Sequence, residues 1–129
     1  MGIKEKIEEF APVAEQMPGV VVIHRIEGFA PLYMSSKGLQ LLGITLNELV
    51  DIGEDYQKKI LNEEFMSDFL DFLRDRMKEE KDGDTYNFFH QVQLRENESY
   101  QWYVSSLKVF HTDAAGNPTH TMTIAFPLG

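Results

Sequence analysis

Apolar and polar positions divide the 129-residue chain into a helical start, a strand pair, a run of helices and a strand-rich end. Ile3, Ile7, Phe10, Ala14 and Met17 recur at helical spacing between charged residues, so residues 3 to 16 read as an amphipathic helix ended by Pro18-Gly19. Pro12 lies inside that segment and predicts a kink or a split, because proline lacks the amide donor and crowds the preceding turn. Val20 to Ile23 form an apolar β-branched run that His24-Arg25-Ile26 continue, the pattern of a strand buried on both faces. A central place in a sheet follows. Glu27-Gly28 turns the chain into a second strand, Ala30 to Met34, where Pro31 cannot donate to a ladder and points to a sheet edge.

Ser35 or Ser36 can cap a helical turn running to Leu42, with Gly43 as its left-handed stop. Thr45-Leu46-Asn47-Glu48 has capping-box spacing and opens a second short helix. Asn62 can cap the longest helix, in which Phe65, Phe69, Phe72, Leu73 and Met77 make an apolar stripe that ends in the charged run Lys78 to Lys81. Three strands rich in aromatic and β-branched residues follow, Thr85 to Leu94, Ser99 to Thr112 and Thr119 to Leu128. Turns at Arg95 to Glu98 and Asp113 to Pro118 join them as hairpins.

Composition narrows what such a domain can do. One compact unit suits the length. Twelve basic against twenty-one acidic residues give a net charge of −9, which repels nucleic-acid phosphates and anionic membrane surfaces. No direct nucleic-acid or membrane partner is expected. With no cysteine, disulfides, thiolate zinc sites and iron–sulfur ligation are excluded. No apolar run approaches a membrane span, and Lys4-Glu5-Lys6-Ile7-Glu8-Glu9 is no signal peptide, so a cytoplasmic protein is expected.

The stretch from Tyr33 to Leu49 resembles the front half of a PAS domain: a strand end, a helical turn closed by Gly43 and a second helix opened by Thr45. Tyr100-Gln101-Trp102-Tyr103-Val104 resembles the aromatic-rich strand of a PAS subfamily. The resemblance runs from Pro18 to Leu128. It implies an α+β fold, a five-stranded antiparallel sheet with helices on one face, preceded by an N-terminal flanking helix over 1–17; the PAS domain itself spans 18–129. It also implies a sensory or interaction role like that of segments preceding a helix-turn-helix output in bacterial transcription regulators. A segment of a longer protein is favoured over a stand-alone one. Homodimerisation through the flanking helix is the family habit, and Ile3, Ile7, Phe10 and Met17 would cover the outer sheet face, in their own subunit or across a two-fold axis.

Residue type tests the cofactors that PAS domains carry. Flavin–cysteinyl photochemistry and the covalent chromophore of photoactive yellow proteins both need a cysteine and are excluded. Haem is disfavoured, because residues 62 to 82 contain no histidine and Met66 and Met77 read as core filler. No cofactor is assigned. A small ligand in a helix-side pocket remains, with Tyr33, Phe69, Tyr86, Phe88, His90 and Tyr103 as candidate lining, against a core that the aromatic residues simply fill.

His24 alternates with Val22 and Ile26, and His90 with Phe88 and Val92, so each faces either the cavity or the outer sheet. A neutral histidine satisfied by one hydrogen bond is the plain expectation for both. His111 and His120 face one another across a hairpin and offer a weak metal site with Asp113; an exposed hairpin is the simpler account. Catalytic motifs are lacking, and Asp51, Glu54 and Asp55 are the only clustered carboxylates near a pocket rim. A non-catalytic sensor that binds a small ligand or a partner is therefore expected. The alternatives are a small α+β enzyme or carrier of the ketosteroid-isomerase kind, and a ligand-free dimerisation module.

Overall fold

The computed structural model describes residues 2–56, 71, 75, 85–95 and 98–128. Helix α1 (Ile3–Ala14) leads into β1 (Val20–Arg25) and β2 (Pro31–Met34), followed by α2 (Ser36–Leu42), α3 (Leu46–Ile52) and a 3-10 turn at Gly53–Asp55. Strands β3 (Thr85–Val92), β4 (Gln101–Thr112) and β5 (Pro118–Pro127) complete the sheet. The expected long helix with Phe65, Phe69 and Phe72 lies outside the described residues, save Asp71 and Asp75, which are helical and exposed.

The five strands pair antiparallel in the order β2-β1-β5-β4-β3. Thus β1 is internal and β2, with Pro31, is an edge, as the residue pattern indicates. Burial on both sides of β1 is complete: Val20, Val21, Val22, Ile23 and His24 are each 8% exposed or less. Two separate apolar clusters provide the cover. On the inner face, Val20, Val22 and Met34 pack with Leu49, Tyr56 and Leu107, and α2 and α3 contribute Leu39, Leu42 and Leu46. On the outer face, Val21, Ile23 and Tyr33 pack beneath Ile7, Phe10, Ala14 and Met17 of the N-terminal segment.

The flanking helix therefore covers its own sheet. Phe10 meets Phe110 of β4 at a centroid distance of 5.4 Å, and the Lys6 ammonium lies 4.8 Å from the same ring centroid while donating to the Phe110 carbonyl. Ile3 is half-buried but does not join this cluster. The helix is not split at Pro12: α1 runs through it to Ala14. Pro12 sits near the helix end, and Glu8, whose carbonyl loses its partner, is exposed, so water can serve that oxygen. The helix then tightens through Gln16 N–H to Val13 O (3.0 Å) and Met17 N–H to Ala14 O (3.2 Å).

Three local details fix how the helices meet the sheet. Thr45 and Glu48 form the capping box, with Glu48 N–H donating to Thr45 Oγ1 at 3.1 Å and Thr45 N–H to Glu48 Oε1 at 3.0 Å. Gly38 of α2 sits so close to β1 and β2 that a Cβ there would lie 2.5 Å from Val20 Cγ1 and 2.7 Å from Met34 Sδ. Ser35 takes the N-cap position of α2, yet its hydroxyl does not cap the helix. Instead Val21 N–H donates to Ser35 Oγ at 3.0 Å, and Ser35 N–H donates to Val21 O at 2.8 Å. The side chain extends the β1–β2 ladder by one more bond where the edge strand ends.

Ser35 is 2% exposed and Val21 fully buried, so Ser35→Ala leaves a buried amide without that acceptor. Its expected cost is about 1–3 kcal/mol in urea unfolding, whereas Ser36→Ala, at an exposed position, stays within about 0.5 kcal/mol. Equal effects for the two variants would show that the Ser35 bond contributes nothing.

Candidate functional site

Alternation along the strands sorts side chains between the two clusters. On β1, Val20, Val22 and His24 face inward, and their neighbours on β5 are Ala125, Thr123 and Thr121. On β4 and β3 the same face carries Tyr103, Ser105 and Leu107 opposite His90, Phe88 and Tyr86. Two adjoining cavities open between this face and the helices. One, of ≈ 50 Å³, has apolar walls from Val20, Met34, Leu42 and Val92; the other, of ≈ 40 Å³, is bounded by His24, Phe29, Phe88, Ser105 and Thr123. Val22, Tyr56, His90 and Ala125 border both.

His24 is 4% exposed, and neither ring nitrogen meets a hydrogen-bond partner among the described residues. Its ring stacks on Phe29 at 4.2 Å and leans toward Tyr56 at 5.5 Å. Phe29 reaches that position from the β1–β2 turn with φ 53°, a left-handed conformation that a bulky side chain rarely adopts. His90 is 6% exposed; its Nε2 shares a 2.6 Å hydrogen bond with Ser105 Oγ, and its Nδ1 has no partner among the described residues. Phe88 and Tyr103 flank the His90 ring at 5.1 and 6.2 Å. The hydroxyls of Thr121 and Thr123 are likewise buried without a partner among the described residues.

Burial sets the charge state. Loss of solvent, reinforced by His90, pushes the His24 pKa down to about 3, and loss of solvent brings His90 down to about 4. Both rings are neutral at pH 7. Burial raises the Tyr56 hydroxyl well above its ordinary value, and that of Tyr103 moves the same way for the same reason. No Asp, Glu, Lys or Arg is among the described residues that line either cavity. The site offers neutral donors and acceptors within apolar, ring-rich walls.

The structure places Phe88, His90 and Tyr103 at these cavities and packs Tyr86 into the inner cluster. Tyr33 is a correction: it stands on the opposite face, paired with Ile23, and its hydroxyl donates to Glu15 Oε1 at 3.0 Å. Strand alternation is the reason, since Met34 occupies the inward position beside Val22. Burial and the Glu15 carboxylate raise the Tyr33 pKa to about 12, while the Ser36 amide holds Glu15 below the usual carboxylate range. Phe69 lies outside the described residues. His24 is a second correction, because among the described residues it lacks the single hydrogen bond expected of a buried histidine. Phe29, Tyr56 and Thr123 had no signal in the sequence beyond their types.

His111 and His120 are cross-strand partners with ring centroids 5.8 Å apart. Asp113 does not turn toward them: its Oδ1 accepts from Ala115 N–H and Asn117 N–H, both at 2.9 Å, and closes the hairpin turn. His120 Nδ1 shares a 2.8 Å bond with Thr119 Oγ1. Asp51, Glu54 and Asp55 are all exposed at the end of α3, so none is the buried acid an isomerase-like site requires.

No protein-family model matches the sequence, and no curated protein does. Solved structures do. A PAS domain from a two-component sensor histidine kinase superposes with a TM-score of 0.69 at 8% identity, over 98% of this chain and 100% of that one. The Rhodobacter sphaeroides LOV protein gives 0.72 at 13% identity, over 100% of this chain and 69% of that one. The PAS domain from Bordetella pertussis BvgS gives 0.67 at 12% identity, over 97% and 88%. At such identities the likeness is one of fold: this chain has the PAS fold.

A pH dependence follows from the two histidines. Their folded pKa values lie below the ordinary 6.5, so the unfolded chain binds protons more readily and stability falls as the pH drops below about 6.5. Each contributes a slope of about 1.4 kcal/mol per pH unit until its folded pKa is reached. Urea unfolding at pH 7 and pH 5 should show a loss that His24→Phe reduces by about one histidine's share. An unchanged loss in the variant would mean that His24 is not buried in neutral form.

Proposed function

We propose that this chain is a sensory domain, in which a small molecule held between the inner sheet face and the helices shifts the balance between two arrangements of the domain. The observation that carries the reading is the cluster of buried polar atoms on His24, His90 and Thr123, without partners among the described residues, on side chains that line one cavity. Buried polar groups are normally paired, and each left alone costs about 1–3 kcal/mol. A site kept at such a cost, beneath helices and with no charged residue among its described lining, suits a binding role better than acid–base chemistry. The solved domains of similar fold include those of a two-component sensor histidine kinase and of BvgS, which supports a signalling context.

Transmission would run through β1. Its inward side chains touch the cavity and its outward ones meet α1, so a ligand that moves the strand also moves the helix. In this reading an output module, of the helix-turn-helix kind that follows the sensory segments this sequence resembles, reads the position of α1. A homodimer is part of the proposal: beyond α1 the outer face exposes Phe89 at 60% and Trp102 at 45%, apolar surface that a second copy would cover. No helix among the described residues is long and apolar enough to cross a membrane, and we place the domain in the cytoplasm.

Native mass spectrometry of the protein purified from its own host is the test. The expected spectrum shows a two-subunit species carrying a non-covalent mass that is lost on denaturation. A bare single chain under gentle ionisation would overturn both the ligand and the dimer.

A further inference from the structure

The inner cavity also restricts what it can hold, an inference that rests on the ligand-binding reading above. The two adjoining cavities divide by chemistry. Val20, Met34 and Leu42 make one end apolar, while His24, His90 and Thr123 bring to the other polar atoms that have no partner among the described residues. Their volumes, ≈ 50 and ≈ 40 Å³, lie well under the ~150 Å³ of an engineered apolar cavity that accepts benzene. The occupant is therefore no larger than a single ring, and a full ring requires the two cavities to join and widen.

Charge is restricted as well. No acidic or basic side chain is among the described lining residues to balance an ion, and an isolated ion in such surroundings is strongly penalised. A neutral imidazole presents one donor and one acceptor, and a threonine hydroxyl presents both. His24 has both ring nitrogens uncommitted among the described residues, and the His90–Ser105 bond leaves Nδ1 for a further contact. One group that both donates and accepts can pair with one nitrogen of His24 and with His90 Nδ1 or the Thr123 hydroxyl. A hydroxyl or a primary amide fits, and the rings of Phe29, Tyr56 and Phe88 favour a flat body beside it.

We infer that the inner cavity binds an uncharged amphipathic molecule no larger than one ring, its hydroxyl- or amide-type head placed against His24, His90 and Thr123 and its apolar body toward Val20, Met34 and Leu42. A carboxylate would have to enter together with a proton, and an amine would have to leave its proton behind.

Calorimetric titration of the intact chain at pH 7.5 with phenol, toluene, benzoate and benzylamine tests this. Phenol is expected to bind about tenfold more tightly than toluene, the equivalent of one buried hydrogen bond, and the two ions more weakly than either. Thr123→Val, which keeps the side-chain shape, and His24→Phe should each bring phenol toward the toluene value. Toluene binding as tightly as phenol, benzoate or benzylamine binding best, or phenol indifferent to both substitutions would overturn the inference while leaving a ligand-binding cavity in place. Failure of all four probes to bind would overturn the inference; if the host-purified protein also carries no bound mass, the ligand-binding reading falls with it.

Discussion

Everything in this domain depends on β1 being buried on both faces. A strand of Val20-Val21-Val22-Ile23-His24 with no residue above 8% exposure needs apolar cover on two sides, and the chain provides it from two directions. The N-terminal helix shields Val21 and Ile23, while α2 and α3 shield Val20 and Val22. The flanking helix is thus part of the fold's hydrophobic stabilisation. Because alternation ties adjacent residues of one strand to opposite faces, any displacement of β1 is felt in both clusters at once.

The same burial creates the site. His24 continues the inward row of Val20 and Val22, so it is carried into the interior whether or not a partner waits there. Its surroundings are aromatic rather than polar: Phe29, held in a left-handed backbone conformation, lies over one side, and Tyr56 leans in from the end of the helical segment. Packing of this kind stabilises the ring as an apolar body and leaves its nitrogens without a partner among the described residues. His90 resolves half of the same problem through Ser105 on the adjacent strand. The cavity lies between the two, where pairing within the chain stops short.

Much of the fold was legible because its signals are local. The apolar β-branched run of β1, proline on the edge strand, Gly43 with φ 72° closing α2 and the Thr45–Glu48 capping box each follow from a few neighbouring residues. What was not legible depends on register. Tyr33 looked like pocket lining, but a bulge between Ile23 and His24 fixes how β2 meets β1 and sets Tyr33 opposite Ile23 on the α1 side. Ser35 had the position of a helix cap, and only the buried Val21 amide 3.0 Å away gave its hydroxyl a stronger claim. His24 could face either side until α1 was seen to occupy the other. That it has no partner among the described residues is a tertiary fact with no trace in the pattern.

The central claim is that His24 and His90 are buried, neutral and directed at one cavity. The most direct test is a titration of the imidazole nitrogens by NMR with 15N-labelled histidine. Shifts of His24 and His90 that stay at neutral-ring values from pH 8 to pH 5, with a fixed tautomer for His90 bonded to Ser105, are expected from their lowered pKa values of about 3 and 4. A midpoint near 6.5 for either ring, the ordinary value for an exposed histidine, would contradict it.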